Sequence, residues 1–177
     1  MLAHVRRVIL SCIILNVAVS TANAEDVYQD PSAFVEASFG GIAPEPKMLW
    51  VTRKLKPHVR EILDRDLGQL RVRYWARDSR TVWILDEIGK TKPITTGIVV
   101  EEGKIALLKP LVYRESHGWE VRYPFFTDQF KGLTLTDDRK LSDHVDGISG
   151  ATLSVSALKR LARLALYFDT QVSSKYD

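Results

Sequence analysis

Between Asp146 and Ser154 the chain reads DGISGATLS, with hydroxyl residues at Ser149, Thr152 and Ser154 just before the amphipathic run SALKRLARLALYF. A hydroxyl at a helix start has two uses. It can cap the helix by accepting a bond from a first-turn N–H. Flanked by glycine and alanine, it can also be the point where another group is attached. Ser149 and Thr152 are the capping candidates, and Gly150 allows close backbone approach. Glu115 and His117 form a second pair of interest, readable as an acid–base couple or as two surface groups in a loop. A serine-hydrolase elbow is excluded, because G-x-S-x-G around Ser149 would need glycine where Ala151 stands. The histidines at 4, 58, 117 and 144 lack metal-ligand spacing, and no phosphate loop or dinucleotide fingerprint occurs.

The elements that must position these residues follow from local pattern. Asp30-Pro31-Ser32 predicts a capped helix start, with Ala33, Phe34, Ala37 and Ser38 on one face and Gly40-Gly41 as the stop. A second helix after Pro57 carries Val59, Ile62, Leu63 and Leu67 at helical spacing and stops at Gly68. From Leu70 the period becomes two. Strands are expected from Leu70 to Trp75, over Thr81–Ile88 after a turn at Asp78-Ser79-Arg80, and over TTGIVV and KIALLKPLVY. The last two form a hairpin across a three-residue loop, Glu101-Glu102-Gly103. GWEVRY reads as one more strand, and 124–145 is less regular. The final helix begins near Leu153, with Ala157, Leu158, Leu161, Leu164, Ala165 and Phe168 as its apolar stripe and Lys159, Arg160 and Arg163 as a solvated face. The fold class expected is α+β, an antiparallel twisted sheet with flanking helices.

At 177 residues the chain has the length of one domain. MLAHVRR, the apolar run VILSCIILNVAVS and Ala22-Asn23-Ala24 have the order of a secretory signal peptide, cleaved after Ala24. Its removal takes away two arginines and the lone cysteine, Cys12. The remaining charge is nearly balanced, which argues against a nucleic-acid role. Thiolate metal sites, iron–sulfur clusters and cysteine-attached haem are excluded as well. The expected organisation is a signal over 1–24, a helical segment over 25–69, the main domain over 70–172 and a tail over 173–177.

Asp146 to Thr152 fits D-x-x-[ST]-G-A-T, which resembles the flavinylation motif of the FMN-binding domain family. That family includes the covalent-FMN subunits of the sodium-pumping NADH:quinone reductase and of the Rnf complex. Three further segments resemble it: Glu102-Gly103-Lys104-Ile105, Glu115-Ser116-His117-Gly118, and Phe126-Thr127-Asp128-Gln129-Phe130-Lys131-Gly132. The likeness spans roughly Thr81 to Phe168. One departure stands out, ESHGWE where better-known members read E-T-P-G-x-G.

The resemblance implies that Thr152 is esterified to the phosphate of FMN by a flavin transferase that uses FAD as donor. Asp146, Ile148 and the small residues between would be what the transferase reads. A phosphate there would meet free N–H groups and the positive end of the helix dipole, with Gly150 and Ala151 leaving room and Ser149 and Ser154 able to donate hydrogen bonds. Glu115, Ser116, His117, Gly118 and Trp119 would border the flavin ring, with Trp119 offering stacking area. Trp75, Trp83, Tyr113, Phe125, Phe126 and Phe130 are core by type, and one or two could wall the flavin. The expected function is that of an exported, periplasmic electron carrier between membrane and extracytoplasmic redox partners, not an enzyme by itself. The alternatives are the flavin subunit of an extracytoplasmic reductase and a non-redox scaffold.

Overall fold

The computed structural model describes residues 25–173; residues 1–24, for which the sequence predicts a signal peptide, and residues 174–177 lie outside the described residues. Six strands form one antiparallel sheet in the order β1-β6-β5-β4-β3-β2. They are β1 (Asp26–Val27), β2 (Lys47–Trp50), β3 (Arg71–Arg77), β4 (Arg80–Ile88), β5 (Pro93–Glu101) and β6 (Lys104–Tyr113). Helices α1 (Pro31–Ser38), α2 (Lys56–Leu63), α3 (Pro124–Thr127) and α4 (Thr152–Ser173) flank it. The α+β class is the one the alternating strands called for. No helix among the described residues is long and apolar enough to cross a membrane.

Strands β3 to β6 are joined by short turns, two of them one residue shorter than the sequence predicts. Glu101 pairs directly with Lys104, so the β5–β6 loop is the two residues Glu102 and Gly103, not three. Both have positive φ (51° and 71°), as a primed two-residue turn requires. Arg80 is likewise the first residue of β4, paired with Arg77, and not part of the turn. Residues 25–69 supply two strands besides their two helices. β2 is hard to see in sequence, because it is four residues long and buries only Leu49.

The two faces of the sheet have separate cores. On one, α4 and α2 pack over Trp83, Leu85, Ile98, Val100 and Ile105 through Leu158, Leu161, Ala165, Phe168 and Ile62. Trp83 is fully buried there, stacked on Tyr74 at 4.9 Å and tilted against Phe168 at 5.5 Å. On the other, α1 presents Phe34 and Val35 to Val82, Val99 and Leu111. The buried pair in α1 is therefore Phe34 and Val35; Ala33 and Ala37 are exposed. Asp30 caps this helix, accepting the N–H groups of Ser32 and Ala33 at 2.9 and 3.0 Å.

Phe34 lies so close to β5 that a Cβ on Gly97 would stand 2.5 Å from its ring. Gly97→Ala is expected to destabilise the fold by about 1–3 kcal/mol through overpacking. Urea denaturation checks this, and Phe34→Leu in the same chain should recover part of the loss.

Three further sequence expectations change in detail. GWEVRY is a 3-10 turn (Trp119–Arg122), not a strand. Gly118 at φ 84° turns the chain away from β6, and β1 already pairs with the edge of β6 at that end. α2 ends at Leu63, where Asp64 takes a left-handed conformation (φ 58°), five residues before Gly68. Arg160 and Arg163 are not simply solvated. Arg160 approaches the buried Glu87 carboxylate at 3.5 Å, beside Arg65 at 2.8 Å, and Arg163 donates to the Arg139 carbonyl at 2.6 Å. α4 begins at Thr152, close to Leu153 as the sequence predicts.

Asp169 near the end of α4 is almost fully buried, accepting from the Thr81 hydroxyl at 2.6 Å. The Trp83 indole donates in turn to that hydroxyl at 2.9 Å. Burial pushes the Asp169 carboxyl up, and the bonds from Thr81 and Ser173 offset only part of this. The folded state therefore binds its proton more tightly than the unfolded chain. Stability from this group is full below the ordinary Asp pKa and is lost as pH rises through the raised value. Asp169→Asn should thus gain over the parent at pH 8 and lose that advantage near pH 4. Thermal melts at both pH values test the crossing.

Candidate functional site

The site is built where α4 begins. Gly150 at φ 83° reverses the chain, and the Ala151 N–H bonds to the Ile148 carbonyl at 3.0 Å. Val155 N–H bonds to the Ala151 carbonyl at 2.9 Å, the first bond of the helix. Ala151 is therefore the residue at the cap position, and its buried methyl can accept nothing. Thr152 follows as the first helical residue, exposed, and its hydroxyl makes no hydrogen bond among the described residues. Neither does the exposed Ser149 side chain. The capping reading of this junction is not what the structure adopts. The amides of Thr152, Leu153 and Ser154 come before the first helical bond, so an anion on Thr152 would find donors there.

Ser154 has another role than the one its sequence position suggested. It is buried, with its Oγ 2.9 Å from the Tyr113 hydroxyl. Tyr113 gives its single proton to the His117 carbonyl at 2.5 Å. The Ser154 proton must then point at Tyr113, and it is not available to a phosphate. Burial raises the Tyr113 pKa, against the lowering effect of Ser154, so this relay stays protonated at neutral pH.

Gly118 locks the second segment to the first. A Cβ at this position would meet Ser154 Oγ at 2.8 Å, the Tyr113 hydroxyl at 3.0 Å and Ala151 Cβ at 3.3 Å. The F-x-x-Q-F segment joins them, since the Asp146 N–H bonds to Gln129 Oε1 at 2.7 Å. Its Phe126 and Phe130 are buried edge to face against each other. Asp146 itself is exposed, with His144 at 3.5 Å, a pair too solvated to matter for stability. Ile148 rests half-buried on the core. Segments distant in sequence thus converge on the start of α4.

Glu115 does not join them. One carboxylate oxygen accepts the N–H groups of Lys90, Thr91 and Lys92 at 2.6, 2.6 and 2.8 Å, clamping the β4–β5 turn. Burial raises its pKa, but these three backbone bonds outweigh that and hold it below the usual carboxylate range. Its contribution is therefore present above the ordinary Glu pKa and lost as pH falls through the depressed one. Glu115→Ala should cost about 1–3 kcal/mol at pH 7 and less at pH 3, measured by chemical denaturation. No acid–base couple forms with His117, which is exposed like Ser116.

Beside Gly118 lies a cluster that sequence reasoning missed in part. Trp119, Tyr123 and Phe125 are exposed, and Leu153 is exposed next to Thr152. The Arg122 guanidinium sits over the rings of Tyr28, Trp119 and Tyr123 at 4.6, 5.1 and 5.1 Å. Arg122 and Tyr123 fall in the GWEVRY segment whose alternation predicts a strand, and nothing in their local pattern signals this grouping. Trp75 and Trp83 belong to the cores and not to this site.

Residues 89–167 match the family model of the FMN-binding domain. The match is consistent with an FMN-binding domain over this stretch. The stretch contains the converging segments at 115–119, 126–132 and 146–154, with β5, β6 and most of α4. No curated protein and no solved structure matched the chain. The residues at the start of α4 fit an FMN phosphate: an exposed hydroxyl without a partner, small neighbours and helix amides available as donors. The site also presents, one residue from Gly118, an apolar ring surface of the kind a flavin can use.

Proposed function

We propose that FMN is carried covalently on Thr152, and that the protein is an exported electron carrier between membrane and extracytoplasmic redox partners. The observation that supports this best is the state of the Thr152 hydroxyl, exposed at the first position of a helix that begins without a side-chain cap. Because the cap position is Ala151, the Thr152 hydroxyl is not spent on capping and is left available. In the attachment, a flavin transferase supplies FAD. The Thr152 oxygen takes up the FMN phosphoryl group, the FAD pyrophosphate bond breaks, and AMP leaves with the threonine proton. Asp146 and Ile148 flank the acceptor loop, Asp146 exposed to an approaching transferase.

Bound flavin would supply the redox chemistry, while the chain holds and orients it. Trp119, Tyr123 and Phe125 offer an apolar ring surface, and Arg122 keeps a positive charge beside it. Intact mass of protein made together with a flavin transferase tests the proposal. A gain equal to FMN minus water is expected, and an unmodified mass beside an active transferase overturns it.

A further inference from the structure

The sheet face that carries α1 is not covered beyond β4. There β2, β3 and β4 line a cleft of about 500 Å³ whose walls include Met48, Arg71, Arg73, Trp75 and Ile84. Register places Met48 opposite Arg73 and Trp50 opposite Arg71, so these side chains share one face. Trp50 is 59% exposed and Met48 41%. Elsewhere among the described residues the arginines are engaged with carboxylates, carbonyls or rings, Arg53 apart. Arg71 and Arg73 have no such partner. Asp86 lies nearby, but its carboxylate accepts the Thr95 hydroxyl at 2.5 Å and forms no ion pair with either arginine.

We infer that this cleft is a docking surface for the acidic face of a partner protein, with carboxylates on Arg71 and Arg73 and an apolar contact on Met48 and Trp50. Charge complementarity names the partner's sign, since two adjacent guanidiniums bind carboxylates bidentately and lose little hydration in doing so. Tryptophan, arginine and methionine are also the residue types enriched where protein interfaces concentrate their affinity. A flat anionic bilayer fits less well, because Trp75 and Ile84 are only partly exposed within a concave site. The cleft is on the sheet face opposite α4, so a partner seated there leaves Thr152 accessible, and the inference does not depend on flavin attachment.

The test follows tryptophan fluorescence of the full chain during titration with poly-L-glutamate, with phosphatidylglycerol vesicles and with inorganic phosphate. A saturable change with poly-L-glutamate is expected, weakened by salt and reduced roughly tenfold or more in Arg71→Gln/Arg73→Gln, whose thermal melt should match the parent. Trp50→Ala should weaken binding as well. Absence of binding by poly-L-glutamate overturns the inference, as does binding unchanged by the arginine substitutions. Preferential binding of vesicles would overturn it in favour of a membrane surface, and equal binding of phosphate alone in favour of a small-anion site.

Discussion

Thr152→Ala is expected to abolish covalent flavin completely while leaving stability within about 0.5 kcal/mol of the parent. The two halves of this expectation have separate causes. The hydroxyl is the sole nucleophilic atom of the side chain, so its removal leaves nothing to esterify. The same hydroxyl makes no hydrogen bond among the described residues and is exposed, so the fold loses little. Alanine is also the better helix former, which offsets part of any loss. Thr152→Ser keeps an oxygen at the same helical position and should retain flavin. Denaturing gels viewed by flavin fluorescence, beside intact mass, read the outcome. Flavin that survives denaturation on Thr152→Ala would show that attachment is elsewhere, with Ser149 the next hydroxyl to test.

Gly118→Ala should be the most damaging small substitution near the site. Its backbone is at φ 84°, where an L residue costs about 1–2 kcal/mol. The new methyl would stand 2.8 Å from Ser154 Oγ and 3.0 Å from the Tyr113 hydroxyl, adding about 1–3 kcal/mol of overpacking. A total of roughly 2–5 kcal/mol is a large part of the stability of an ordinary domain. Relief can come only by moving the 115–119 loop away from α4 or by breaking the Tyr113–Ser154 bond. Flavin loading should therefore fall as well. Tyr113→Phe removes one of the two clashing oxygens, so the double variant should lose less than the sum of the single changes. Strict additivity in urea denaturation would show that Gly118 is needed for its backbone angle alone.

Much of the fold was legible because it is written in neighbours along the chain. Alternation gave β3 to β6, Asp30-Pro31 gave the start of α1, and the stripe from Ala157 to Phe168 gave α4. The same alternation misled at GWEVRY, where Val121 is buried in a 3-10 turn. Periodicity reports which side chains are apolar in turn, and an irregular turn can satisfy it too. β2 escaped because a short edge strand with Met48 and Trp50 outward has no buried stripe.

The sequence by itself determined the α+β class, the pairing of β5 and β6 as a hairpin, and the D-x-x-[ST]-G-A-T junction with Thr152 as the residue to examine. Only the tertiary structure decided what each polar atom there does. It spent Ser154 on Tyr113, placed Glu115 under the β4–β5 turn and left the Thr152 hydroxyl without a partner. The reason is physical. Backbone angles and burial periods are set by residues a few places apart, whereas a hydroxyl or carboxylate takes whichever acceptor or donor the folded chain brings within about 3 Å.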